Sequence, residues 1–88
     1  MVTVTLDDIK RIIGLQLGLS AVPDDARIMD ELGAESADVA NVIAAVESKY
    51  GIRMKESEIA RIYTPAELCE AVRRHLGQGR VRPPRQVP

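Results

Sequence analysis

Leu32-Gly33-Ala34-Glu35-Ser36-Ala37-Asp38-Val39 is the stretch on which the reading of this chain turns. A turn-forming Gly33 hands over to a regular apolar series. Val39, Val42, Ile43, Val46 and Tyr50 recur at i, i+3, i+4, i+7 and i+11, the spacing of one helix face. Gly51 is the stop signal. The spacing predicts a helix from about Ser36 to Tyr50. Ala37, Ala40, Asn41, Ala44 and Ser48 fall on its other side, which is small and nearly uncharged. Ser36 stands where loop becomes helix.

Towards the N-terminus, residues 18–35 form a long connection whose clearest turn is Pro23-Asp24-Asp25. Structureless loops beyond about 12–15 residues are uncommon in compact domains. This one has its own anchors in Leu19, Val22, Ile28 and Leu32, and the last two are spaced for a helical turn. Before it, Leu6, Ile9, Ile12, Ile13 and Leu17 predict a helix over 6–17, with Gly18 as terminator. Thr5 and Asp8 stand as a variant capping box at its start. Gly14, inside it, costs about 1 kcal/mol relative to Ala, so this helix depends on packing.

Towards the C-terminus, Ile59 and Ile62 mark one short helix over 58–62. Thr64-Pro65-Ala66-Glu67 is the strongest start signal in the chain: an N-cap, a proline at the first helical position and a capping-box Glu. Leu68, Val72 and Leu76 then predict a last helix that ends at Gly77. No strand alternation is sustained and no repeat appears. The expected fold is all-α: a small bundle of three main helices and one short one, with a long loop between the first and second. The expected folded domain is 1–76, and the Arg/Pro-containing stretch 77–88 is expected to be a flexible tail.

Composition narrows the function. The chain has 88 residues, 45% of them hydrophobic, with no Trp, no Phe and two Tyr. A domain this small buries only about 60% of the surface its unfolded chain exposes. The core must be aliphatic, and no aromatic platform for stacking nucleotide bases is available. Residues 1–76 hold nine basic against 13 acidic residues, a balance of −4, while 77–88 hold three arginines and no acid. A mildly acidic folded part argues against nucleic acid as its partner. A single cysteine, Cys69, excludes an internal disulfide and a Cys cluster for zinc, and its spacing from Leu68 and Val72 makes it a core thiol. No signal-peptide pattern or membrane span is present, and a cytoplasmic, reduced setting is expected. Asp24, Asp25, Asp30 and Glu31 lack the spacing of a dedicated calcium loop.

Three roles compete for Ser36. As an N-cap it would bond a free amide of the first helical turn. As a nucleophile it would need a general base, yet the only histidine, His75, lies in the last helix, and the G-x-S-x-G elbow is missing. As an anchor for a phosphodiester it would sit where free N–H groups and the helix dipole both favour negative charge. In that case another enzyme performs the transfer.

The residues from Leu32 to Asp38, with the helix ending in Tyr50 and Gly51-Ile52 after it, resemble the phosphopantetheine attachment region of acyl carrier proteins. That family's signature is Leu-Gly-x-Asp-Ser-Leu-Asp/Glu before an apolar helix ending in an aromatic and Gly. The resemblance covers about residues 5–76 and extends to the order of helices. It implies a non-catalytic carrier. A phosphopantetheinyl transferase would attach 4'-phosphopantetheine from coenzyme A to Ser36, and the arm would hold an acyl group as a thioester. Other partners would be enzymes that load and receive the acyl chain. No membrane or nucleic-acid partner is implied, and a monomer is expected. Val42, Ile43 and Val46 are the candidate lining of an acyl pocket, and they are core residues in any case. Glu35, Ala37, Asp38, Ala40, Asn41, Ala44 and Glu47 are the candidate partner-recognition residues.

This chain departs from the family pattern at two positions. Glu35 replaces Asp and lengthens the acid. Ala37 replaces Leu, removing an apolar side chain whose burial is worth about 1.5–3 kcal/mol. Asp38 and Glu47 are the only acids of the second helix, so basic partners would be steered towards it less strongly. A carrier dedicated to one partner is therefore expected, while the alanines also simply favour a helix. Two alternatives stand beside it. One is an aminoacyl or peptidyl carrier, whose usual Gly-Gly-x-Ser pattern Gly33-Ala34-Glu35-Ser36 does not match. The other is an unmodified helical interaction module in which Ser36 only caps.

Overall fold

The structure is a computed structural model and describes residues 3–77. The expected tail, from residue 78 onward, lies outside the described residues. Four helices follow one another: α1 Leu6–Leu17, α2 Ser36–Tyr50, α3 Glu56–Ile59 and α4 Pro65–His75. No strand occurs among the described residues. α1, α2 and α4 fall where the apolar spacing places them. α1 packs against both α2 and α4, and the three close around an aliphatic core that includes Ile9, Ile13, Val42, Val46, Leu68 and Val72. Cys69 is buried in the same core, and burial pushes its thiol pKa up. Such a thiol stays protonated and inert at neutral pH.

The ends of the helices form as their residues dictate. Thr5 Oγ1 accepts from the Asp8 N–H at 3.1 Å, although only this forward half of the expected box forms. Thr64 and Glu67 build the full box, with Glu67 N–H to Thr64 Oγ1 at 3.2 Å and Thr64 N–H to Glu67 Oε1 at 3.1 Å. The short helix departs from expectation: it spans Glu56–Ile59 rather than 58–62. Lys55 takes the cap position, and the chain beyond Ile59 tightens into turns, with Ile62 N–H bonded to the Ile59 carbonyl at 3.0 Å. Ile59 and Ile62 still face inward as half-buried side chains.

The long connection is pinned rather than free. Leu19 N–H reaches the Gly14 carbonyl at 2.8 Å, Ala66 N–H the Asp24 carbonyl at 3.1 Å, and Ile28 N–H the Tyr63 carbonyl at 2.8 Å. Lys10 Nζ meets Asp24 Oδ1 at 2.8 Å. Val22 and Ile28 are buried, and Leu19 and Leu32 are half-buried. Residues 28–32 form turns, not a helix.

Gly14 owes its place to this loop. A Cβ there would stand 2.8 Å from the Leu19 carbonyl oxygen, a backbone atom that cannot swing away. Helix propensity alone favours Ala by about 1 kcal/mol, whereas overpacking costs about 1–3 kcal/mol. Gly14→Ala is therefore expected to lower the urea midpoint. An equal or higher midpoint would mean that the α1–loop contact yields easily.

Candidate functional site

Ser36 enters its helix from a planted turn. Gly33 takes φ 75°, a backbone region that favours glycine. Ala34 is buried, and its N–H bonds the Ile28 carbonyl at 3.1 Å. Glu35 is then the N-cap, with φ −94° and ψ 169°, and its N–H donates to Asp38 Oδ2 at 3.0 Å. This corrects the capping reading of Ser36: Glu35 and Asp38 close the helix end, and Ser36 is the first helical residue. The Ser36 hydroxyl is exposed and makes no hydrogen bond among the described residues. The residues fit a phosphodiester here. The Ser36 and Ala37 amides have no protein acceptor among the described residues, and the N-terminal end of a 15-residue helix favours an anion.

The histidine that a catalytic reading of Ser36 would call on is engaged elsewhere. His75 Nε2 lies 2.7 Å from Glu58 Oε1, so the histidine bridges α4 to α3. No group of three or more His, Cys, Asp or Glu side chains that could hold a metal occurs among the described residues. Asp24 and Asp30 face Lys10 and Arg27 at 2.8 and 3.0 Å.

From Ser36 a groove of about 800 Å³ runs along α2. Its apolar surface comes from Ile28, Val39, Ile43, Met54, Ile59 and Ile62. Ala40, Ala44 and Ala60 keep it open, because a methyl group fills little of the space between α2 and α3. α3 contributes no fully buried residue: Ile59 packs half-buried against the core and, with Glu56, lines the groove. Along α2 the groove extends from Ser36 to Glu47, about 16 Å at the helical rise of 1.5 Å per residue.

The candidate pocket residues divide. Ile43 lines the groove, whereas Val42 and Val46 are fully buried in the common core and are not part of its lining. The apolar stripe is wide enough to serve two sides of α2, and periodicity does not distinguish them. Among the candidate recognition residues, Glu35, Ala37, Ala40, Asn41 and Ala44 are exposed, while Asp38 is half-buried against the cap. Glu47 is half-buried, and its Oε2 accepts from the Met54 N–H at 2.7 Å, clamping the chain as it leaves α2. Ala40, Ala44 and Glu47 line the groove with Ser36. The sequence reading did not place Arg27, Ile28, Met54, Ile59, Ile62 or Tyr63 at a site. They arrive from three separate segments, and only the anchor role of Ile28 and the inward spacing of Ile59 and Ile62 hinted at them.

Known proteins resemble this chain in sequence and fold. Residues 7–72 match the phosphopantetheine attachment site family. An acyl carrier protein of Thermotoga maritima is 30% identical over 71 residues, which is 78% of this chain and 88% of that protein. The acetyl form of the actinorhodin acyl carrier protein from Streptomyces coelicolor superposes with a TM-score of 0.67 at 28% identity, covering 84% of this chain and 92% of that one. The 3-oxo-butyl form, an intermediate mimic from the actinorhodin polyketide synthase, gives 0.70 at 30% identity, covering 88% and 96%. With the match running from α1 into α4, the chain belongs to the acyl carrier protein family and carries acyl groups on a covalent 4'-phosphopantetheine arm.

Proposed function

We propose that Ser36 is the attachment residue and that the groove beside it receives the acyl chain. The observation that supports this most is the exposed hydroxyl, free of any capping bond, at the mouth of an apolar groove. Attachment requires a phosphopantetheinyl transferase with coenzyme A and Mg²⁺. Ser36 Oγ forms the new P–O bond, the pyrophosphate bond of coenzyme A breaks, adenosine 3',5'-bisphosphate leaves, and the hydroxyl proton passes to a base on the transferase. The arm supplies a terminal thiol on which the acyl group rides as a thioester. The chain's own residues then position and shelter: the first turn of α2 holds the anchor, and Val39, Ile43 and Ile59 shield an apolar chain from water. The protein itself catalyses nothing. On this reading it works as a cytoplasmic monomer that passes cargo between enzymes of fatty-acid or polyketide metabolism. Intact-mass measurement after incubation with coenzyme A and a broad-specificity transferase tests the reading. One phosphopantetheinyl addition is expected, and no addition would return the chain to an unmodified interaction module.

The exposed face flanking Ser36 supports a dedicated partner. Ala37, Ala40, Asn41 and Ala44 are all exposed and offer a partner almost no apolar bulk or charge. A matching flat surface would pack closely on it. Restoring a family-typical side chain is expected to widen the range of partners. Ala37→Leu should strengthen docking to a generic ketosynthase by about tenfold, the equivalent of about 1.4 kcal/mol from one partly buried Leu. A competition assay against an ordinary carrier reads this directly. If the wild-type chain already turns over as well as the ordinary carrier, no dedicated partner is needed.

A further inference from the structure

The groove has a polar edge. Arg27, from the long connection, lines it together with Ser36 and Tyr63. The Arg27 guanidinium carbon stands 4.9 Å from the centroid of the Tyr63 ring. Its Nε donates to Asp30 Oδ2 at 3.0 Å. Stacking and ion pair together orient the plane of the fork. Nε is the only nitrogen of that fork with a hydrogen bond among the described residues, so the two terminal amino groups keep their donors. Tyr63 is 50% exposed and is held at the edge by this stack and by the Ile28 N–H bond to its carbonyl, 2.8 Å long.

Such an edge treats two kinds of chain differently. A saturated chain laid in the groove offers nothing to the free donors and displaces water from them, which is costly. A chain with ketone or hydroxyl oxygens supplies acceptors, and hydrogen bonds from a charged donor are roughly twice as strong as neutral ones. At the other end of the groove Arg53 has no ion-pair partner among the described residues and adds a second donor. Asp30, Glu47 and Glu56 share the lining, so the charge of the rim does not favour an anionic chain. The fit is to neutral oxygens.

We infer that Arg27 is a specificity-determining residue: on the Ser36 arm it favours a chain bearing ketone or hydroxyl oxygens over a saturated chain of equal length. The inference rests on the reading of Ser36 as attachment residue and of the groove as the seat of the chain.

The full-length protein is loaded by the transferase with two non-hydrolysable amide-linked pantetheine arms of equal chain length, one 3-oxoacyl and one saturated. Thermal unfolding midpoints are recorded for wild type, Arg27→Met and Arg27→Lys, and the Arg27 Nε–H resonance is recorded for wild type with each arm. In wild type the 3-oxo arm is expected to raise the midpoint above that of the saturated arm by about 4 °C or more, and it alone shifts the Arg27 resonance. Arg27→Met removes that advantage without reducing the midpoint gain that the saturated arm gives over the unloaded form of the same variant. Arg27→Lys, which keeps the charge without the fork, restores less than half. Equal midpoints for the two arms in wild type would overturn the inference. So would an advantage that persists in Arg27→Met, or losses of equal size for both arms, since these leave Arg27 as an exposed loop-stiffening ion pair. Failure of the chain to gain mass in the loading step would overturn the attachment reading itself, a result distinct from all of these.

Discussion

Ser36→Ala is expected to fold as the wild type does and to take up no phosphopantetheinyl group. Each half of that result has a physical basis. Ser36 is exposed, its hydroxyl makes no hydrogen bond among the described residues, and capping is left to Glu35 and Asp38. Ala is the best helix former, and exposed substitutions away from special contacts change stability by less than about 0.5 kcal/mol. Loss of loading would therefore report loss of the acceptor oxygen, not of the fold. The remaining serines provide controls. Ser48 lies near the C-terminal end of α2, where the helix dipole opposes an anion. Ser57 sits in a four-residue helix whose dipole is negligible, and Ser20 lies in the long connection. Ser20→Ala, Ser48→Ala and Ser57→Ala should each gain mass like wild type. Circular dichroism establishes that Ser36→Ala is folded, and intact mass reads loading. A persistent mass gain in Ser36→Ala moves the arm to another residue and removes the basis for reading the groove as its seat.

How much could be read beforehand depended on whether a feature is local. α1 and α2 were legible to the residue because their apolar spacing is regular and a left-handed Gly18 or Gly51 ends each. Thr64 to Glu67 carried its own start signal, and the box formed. α3 was displaced because four residues hold too little periodicity, and its limits follow from how the chain leaves α2 through the Glu47–Met54 bond. The capping role went to Glu35 rather than Ser36 because the Asp38 carboxylate folds back on the Glu35 amide. Ser and Glu are both adjacent to the helix start, and only the backbone geometry decides between them. The groove was the least legible feature. The apolar stripe announces that Val42, Ile43 and Val46 are buried, but which of them meets α1 and α4 and which meets open space is a property of three segments packed together. The same holds for Arg27 and Tyr63, 36 positions apart in sequence and stacked in space.

Stability and loading should also separate in the opposite direction. Leu68→Ala is expected to remove about 2–5 kcal/mol, the usual cost of emptying a fully buried leucine site. Leu68 is 0% exposed and belongs to the α4 row that meets α1. An 88-residue chain holds about 4–13 kcal/mol in total at about 0.05–0.15 kcal/mol per residue. The substitution thus takes a large share of what is available and should lower the thermal midpoint by more than about 8 °C. Leu15→Ala is the matching control: Leu15 is 76% exposed, so its midpoint should barely move. The loss spreads through a specific contact, because Ala66, two residues before Leu68, donates its N–H to the Asp24 carbonyl and ties the long connection to α4. Amide exchange at Ala66 should accelerate together with exchange in the core. Yet Leu68 lines no part of the groove, and Ser36 lies on α2. Well below its midpoint, Leu68→Ala should therefore load one phosphopantetheinyl group at close to the wild-type rate. A loading rate that falls in proportion to stability, at a temperature where the variant is fully folded, would show that the transferase reads the whole bundle rather than the first turn of α2.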